Sequence, residues 1–95
     1  MAHIKMYTTT WCSDCRLAKR FLNESGIAYE EINIEEHDGA AELVMQLNGG
    51  KRKVPTFEVE GRAFNLSPYD ERKLRAELGL IGNGANGMGM NDGDG

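Results

Sequence analysis

Hydrophobic and polar positions alternate through residues 3–8, His-Ile-Lys-Met-Tyr-Thr, a run rich in strand formers that predicts a β-strand. The period changes at Cys12. From there Leu17, Ala18, Phe21 and Leu22 gather on one side, with Arg16, Lys19, Arg20 and Asn23 opposite, which predicts a helix that starts at the first cysteine and stops at Gly26. Residues 28–34 read as a second strand because Ile32 and Ile34 alternate with polar neighbours. Strand, helix and strand in this order predict a parallel crossover. Asp38 is placed to cap a second helix in which Ala40, Leu43, Val44 and Leu47 recur, and Asn48-Gly49-Gly50 closes it. Residues 56–60 and 62–66 flank Gly61 as two strands of a tight hairpin. Ser67 is the expected cap of the last helix, with Pro68 at its first position, Asp70 in its first turn, Leu74 and Leu78 inward and Gly79 at its end. The predicted order is β-α-β-α-β-β-α, an α/β chain with four strands and three helices.

The chain has 95 residues, 40% of them hydrophobic, enough for one modest core and not two. Residues 1–81 are therefore expected to form one domain. Residues 82–95 contain six glycines and no Lys or Arg, and their only large side chains are Met88 and Met90, so a disordered tail is expected there. A tail that binds a partner is the lesser alternative. A formal charge of −4 argues against a nucleic-acid partner. No apolar run approaches the roughly 18 residues of a membrane span, and the first residues lack the pattern of a secretory signal. A cytoplasmic, reducing setting is the default, and in it two cysteines are expected to be reactive or metal-binding instead of a structural staple.

Cys12-Ser13-Asp14-Cys15 falls where a strand gives way to a helix. This spacing puts both sulfurs on the first helical turn, where they can close a disulfide with little rearrangement. Unpaired amides and the positive end of the helix dipole favour an anion at Cys12, which makes it the expected nucleophile. Cys15, one turn deeper, suits the resolving role. Asp14 favours the helix start but repels a neighbouring thiolate, whereas Arg16, Lys19, Arg20 and the run Lys51-Arg52-Lys53 add offsetting positive charge. The expectation is a Cys12 thiol that ionises below the free-thiol value of about 8.5. The basic residues gather around the cysteines and around Val54-Pro55-Thr56, while residues 22–50 carry acidic charge only, so anionic thiol substrates would be drawn to the basic end. Trp11 is expected either to cap the core or to offer a partner a contact surface. Two alternatives stay open. A zinc site would need both cysteines with His3 and His37, which lack the short spacing of a finger or ribbon. A dimer carrying an iron–sulfur cluster, with Cys12 from each subunit and two external thiols, needs no further cysteine in this chain.

The residues 7–15, Tyr-Thr-Thr-Thr-Trp-Cys-Ser-Asp-Cys, and Lys53-Val54-Pro55-Thr56 some forty residues later make the chain similar to the glutaredoxin branch of the thioredoxin fold over residues 3–80. Asn48-Gly49-Gly50, the basic residues and Val-Pro-Thr bring it nearest in pattern to mycoredoxins and related small bacterial redoxins. The resemblance implies a four-stranded mixed sheet flanked by three helices and a dithiol oxidoreductase that reduces protein or mixed disulfides; a monomer is the expected state. It implies no bound cofactor, with glutathione or mycothiol as a co-substrate thiol, or thioredoxin reductase as the reductant. It further implies a cis bond before Pro55 beside the cysteines, a Val54 backbone that pairs with the thiol, and help in holding glutathione from Arg52 or Lys53 and from Leu66 and Ser67. Trp11, Ser13, Asp14 and Thr56 complete the expected substrate-binding set, with no metal ligand in it. Ser13-Asp14 stands where many dithiol glutaredoxins have Pro-Tyr, and Asn65-Leu66-Ser67-Pro68 replaces the usual Gly-Gly and Ser/Thr-Asp pattern.

Overall fold

The computed structural model describes residues 3–80. Seven elements run in the predicted order: β1 (Ile4–Thr8), α1 (Ser13–Glu24), β2 (Glu30–Asn33), α2 (Ala40–Leu47), β3 (Thr56–Val59), β4 (Arg62–Asn65) and α3 (Glu71–Glu77). The expected tail lies outside the described residues. The strands form one mixed sheet in the order β2-β1-β3-β4, with β1 parallel to β2 and antiparallel to β3, and β3 antiparallel to β4. Glu60 and Gly61 both take positive φ, 52° and 80°, at the β3–β4 turn. Two left-handed residues in succession match the twist of the strands they join.

Alternation along the strands decides which helix covers which face. Ile4 and Met6 of β1 and Phe57 and Val59 of β3 point to one face, where they pack with Cys15, Ala18, Phe21 and Leu22 of α1 and Leu74 of α3. Tyr7 points to the other face and packs with Ile34, Ala40 and Val44 under α2. The result is a helix–sheet–helix sandwich with α1 and α3 together on one side. Phe57 and Phe64 stack at 5.1 Å across β3 and β4.

Three local expectations are corrected. Leu17 is 46% exposed, because Cys15 and Ala18 face the sheet and a residue two positions from Cys15 points about 200° away from it. Asp38 does not cap α2: Gly39 is the cap, at φ 81°, and no side chain bonds the free amides there. Ser67 does not cap α3, nor does Pro68 begin it. The Ser67–Pro68 bond is cis and belongs to a loop, while Asp70 is the cap and accepts the Lys73 N–H at 3.2 Å. An aspartate three residues before the amide it serves satisfies the same rule that pointed to Ser67, one turn further along.

Candidate active site

The site begins where β1 ends. The loop after Thr8 is held from the end of β2 and the connection that follows it: Asn33 donates to Thr10 Oγ1 at 3.1 Å, and Glu35 accepts the Thr10 N–H at 3.2 Å. This leaves Trp11 at the tip, 89% exposed, so it does not cap the core. Cys12 follows with extended backbone (φ −133°, ψ 107°) as the N-cap of α1. Its Sγ accepts the Cys15 N–H at 3.0 Å, the place a Ser or Asp oxygen fills at most helix starts. A sulfur there collects a backbone donor and the positive end of the helix, both of which favour its anionic form.

Cys12 and Cys15 are joined as a disulfide with their Cα atoms 5.2 Å apart. Cys12 is half-buried and Cys15 is 1% exposed, so a partner approaching from solvent meets Cys12 first. Ser13 opens α1 and is exposed. Asp14 turns its carboxylate across to the loop before α3 and accepts the Tyr69 N–H at 3.2 Å. The basic residues are less concentrated on the sulfur than expected. Lys19 pairs with Glu31 at 3.0 Å and Arg20 with Glu24 at 3.3 Å, whereas no ion pair among the described residues engages Arg16, Lys51, Arg52 or Lys53. Arg52 is exposed and Lys53 half-buried on the approach to Val54.

Val54–Pro55 is cis, as the resemblance implied, and the Val54 carbonyl oxygen lies 3.7 Å from Cys12 Sγ. A polar network that the linear pattern did not reveal fixes this turn. Asn48 Nδ2 donates to Val44 O at 2.7 Å and to Thr56 Oγ1 at 3.0 Å, and Thr56 Oγ1 donates to Lys53 O at 2.6 Å. Asn65 Nδ2 donates to Asn48 Oδ1 at 2.9 Å, and Asn65 Oδ1 accepts the Ser67 N–H at 3.3 Å. The Leu66 N–H donates to Pro55 O at 3.0 Å, while the Leu66 side chain is in the core. Asn48 reads in sequence as a helix stop and Asn65 as a strand residue. Their only forward signal is an amide side chain, which can donate and accept at once.

His3 Nε2 lies 3.1 Å from Glu30 and His37 Nδ1 3.0 Å from the Asn33 carbonyl. Among the described residues no group of three His, Cys, Asp or Glu side chains is arranged to hold a metal ion.

A mixed four-stranded sheet with three helices, and a dithiol pair at a helix start facing a cis-proline turn, define a thioredoxin-fold thiol–disulfide oxidoreductase. The glutaredoxin family profile matches residues 4–64. The chain belongs to the glutaredoxin family. It is 40% identical over 75 residues to a Mycobacterium tuberculosis protein that carries the glutaredoxin name, covering 78% of this chain and 89% of that one. Mycoredoxin 1 of Corynebacterium glutamicum is 36% identical over 68 residues, covering 72% of this chain and 84% of that protein. In three dimensions the chain is similar to the crystal structure of a glutaredoxin from Archaeoglobus fulgidus, with a TM-score of 0.68, 26% identity, and coverage of 82% of this chain and 87% of that one. No described helix is long and apolar enough to cross a membrane.

Proposed function

We propose that Cys12 is the attacking sulfur and Cys15 the resolving one. The supporting observation is their unequal placement: Cys12 is half-buried and its sulfur accepts the Cys15 amide at 3.0 Å, whereas Cys15 is 1% exposed. In the dithiol form the Cys12 thiolate attacks one sulfur of a substrate disulfide, forming a mixed disulfide, and the departing sulfur leaves as a thiolate that takes up a proton. Cys15 then gives up its proton and attacks Cys12 Sγ. This closes the Cys12–Cys15 bond and releases the second substrate sulfur, so that two electrons have passed to the substrate. Two equivalents of an external thiol, glutathione or mycothiol, or thioredoxin reductase, return the pair to the dithiol.

The Val54 backbone, the Trp11 ring and the basic residues Arg52 and Lys53 form the proposed binding surface, with Ser13, Asp14, Thr56, Leu66 and Ser67 as its frame. The protein acts as a cytoplasmic monomer on disulfide-bearing proteins. Cys12→Ser should abolish reduction of a protein disulfide. Cys15→Ser should accumulate a mixed disulfide on Cys12, seen by intact mass spectrometry. Equal residual turnover in the two variants would overturn the assignment. A coupled assay with glutathione and its reductase, set against one with thioredoxin reductase, identifies the electron source.

A further inference from the structure

The loop ahead of α3 lies against the start of α1, and from Leu66 to Tyr69 each backbone donor is used. The Leu66 N–H goes to Pro55 O at 3.0 Å, the Ser67 N–H to Asn65 Oδ1 at 3.3 Å, and Pro68 has none. The Tyr69 N–H goes to Asp14 Oδ1 at 3.2 Å. The last of these differs in kind, because its acceptor is a carboxylate between the two cysteines. Asp14 stands two residues from the attacking sulfur, and a tripeptide thiol bonded to Cys12 is long enough to reach it. An incoming carboxylate would meet negative charge where it needs an N–H. At a half-buried position that costs both the repulsion and the missing charge-assisted bond. The cations of the 51–53 run lie in a different segment, on the approach to Val54, so attraction at a distance and rejection at contact are separable.

We propose that Asp14 is a specificity-determining residue whose carboxylate occupies the Tyr69 amide and selects against disulfides of carboxylate-bearing thiols such as glutathione, in favour of disulfides whose thiol is neutral at that position. The inference rests on the thiol–disulfide exchange reading of Cys12 and deepens it to a substrate class.

Trp11 is the only tryptophan of the chain and stands exposed beside the site, so its fluorescence reports binding without turnover. The oxidised full-length protein would be titrated with S-methylglutathione and, as the neutral control, with S-methyl-N-acetylcysteamine. Asp14→Ala should bind S-methylglutathione about tenfold more tightly than the unaltered chain, the scale of one recovered hydrogen bond to a charged group, with the control moving much less. Asp14→Asn keeps an acceptor for Tyr69 and safeguards the loop while removing the charge, and should show a smaller gain of about threefold. A glutathione-to-control affinity ratio unmoved in both variants overturns the proposal, as does an equal change for both ligands, which would mark Asp14 as merely structural. Reduction of the two corresponding mixed disulfides of one peptide, driven by dithiothreitol, is measured alongside. If the unaltered chain reduces neither, the exchange reading fails, and the binding ratio still judges Asp14.

Discussion

Cys12 fills a cap position with a sulfur that takes the Cys15 N–H at 3.0 Å, and this one contact connects helix formation to reactivity. A charged acceptor gains more from such a donor than a neutral one, so the cap is strongest when Cys12 is a thiolate. The Cys15→Ser variant, which leaves Cys12 as the single thiol, should therefore half-ionise below about pH 8.5 when followed by thiolate absorbance. Tyr7 titrates in the opposite sense. Burial, then its hydrogen bond to Glu58 at 2.5 Å and the charge of that carboxylate, push its phenol well above the ordinary value, and burial raises Tyr69 as well. A group whose pKa is raised by folding lends stability that is whole below its unfolded value of about 10 and is lost as pH rises beyond it. Urea stability should fall as pH is taken above about 10, and Tyr7→Phe should flatten that slope. The two cysteines were legible from spacing alone. Tyr7 was legible only as a strand residue, because its partner is 51 positions away.

At the scale of elements, the turn carrying Val54–Pro55 and the loop before α3 are joined by side-chain amides in addition to the backbone bond from Leu66 to Pro55. Asn48 reaches α2, Thr56 and Asn65 together, and truncating it leaves Thr56 and Asn65 short of partners in a part-buried setting. Asn48→Ala should cost about 2 kcal/mol in denaturant unfolding. The caps provide a sharper comparison. Asp70→Ala should cost about 1 kcal/mol through the lost bond to Lys73, whereas Ser67→Ala should change stability by a few tenths of that, since its hydroxyl serves no helix amide. Element order was readable because alternation and helical spacing are local properties of the chain. The start of α1 at Cys12 was readable too, but those of α2 and α3 were not, since Ser67 and Asp70 both qualify as caps, as Asp38 does beside Gly39, and the packing of the loop decides between neighbours.

Across the whole molecule a net charge of −4 coexists with a local run of cations beside the site. The exposed pairs Arg20–Glu24 and Arg75–Glu71 add little to stability, so the cations free of such pairs matter more for approach than for folding. Reversing Lys51 and Arg52 to Glu should lower kcat/KM on an acidic peptide disulfide about tenfold at low ionic strength, with the difference shrinking as added salt shortens the screening length. Periodicity, glycine placement and the CxxC spacing determined the element order, the mixed α/β class and the redox pair, because each is written in residues a few positions apart. The face each helix covers, the exposure of Trp11 and Leu17, the pairing of Lys19 with Glu31, the Asn48 network and the meeting of Asp14 with Tyr69 were decided by tertiary structure. Those contacts join positions far apart in the chain, and only the closed sheet with its packed helices brings their atoms within bonding distance.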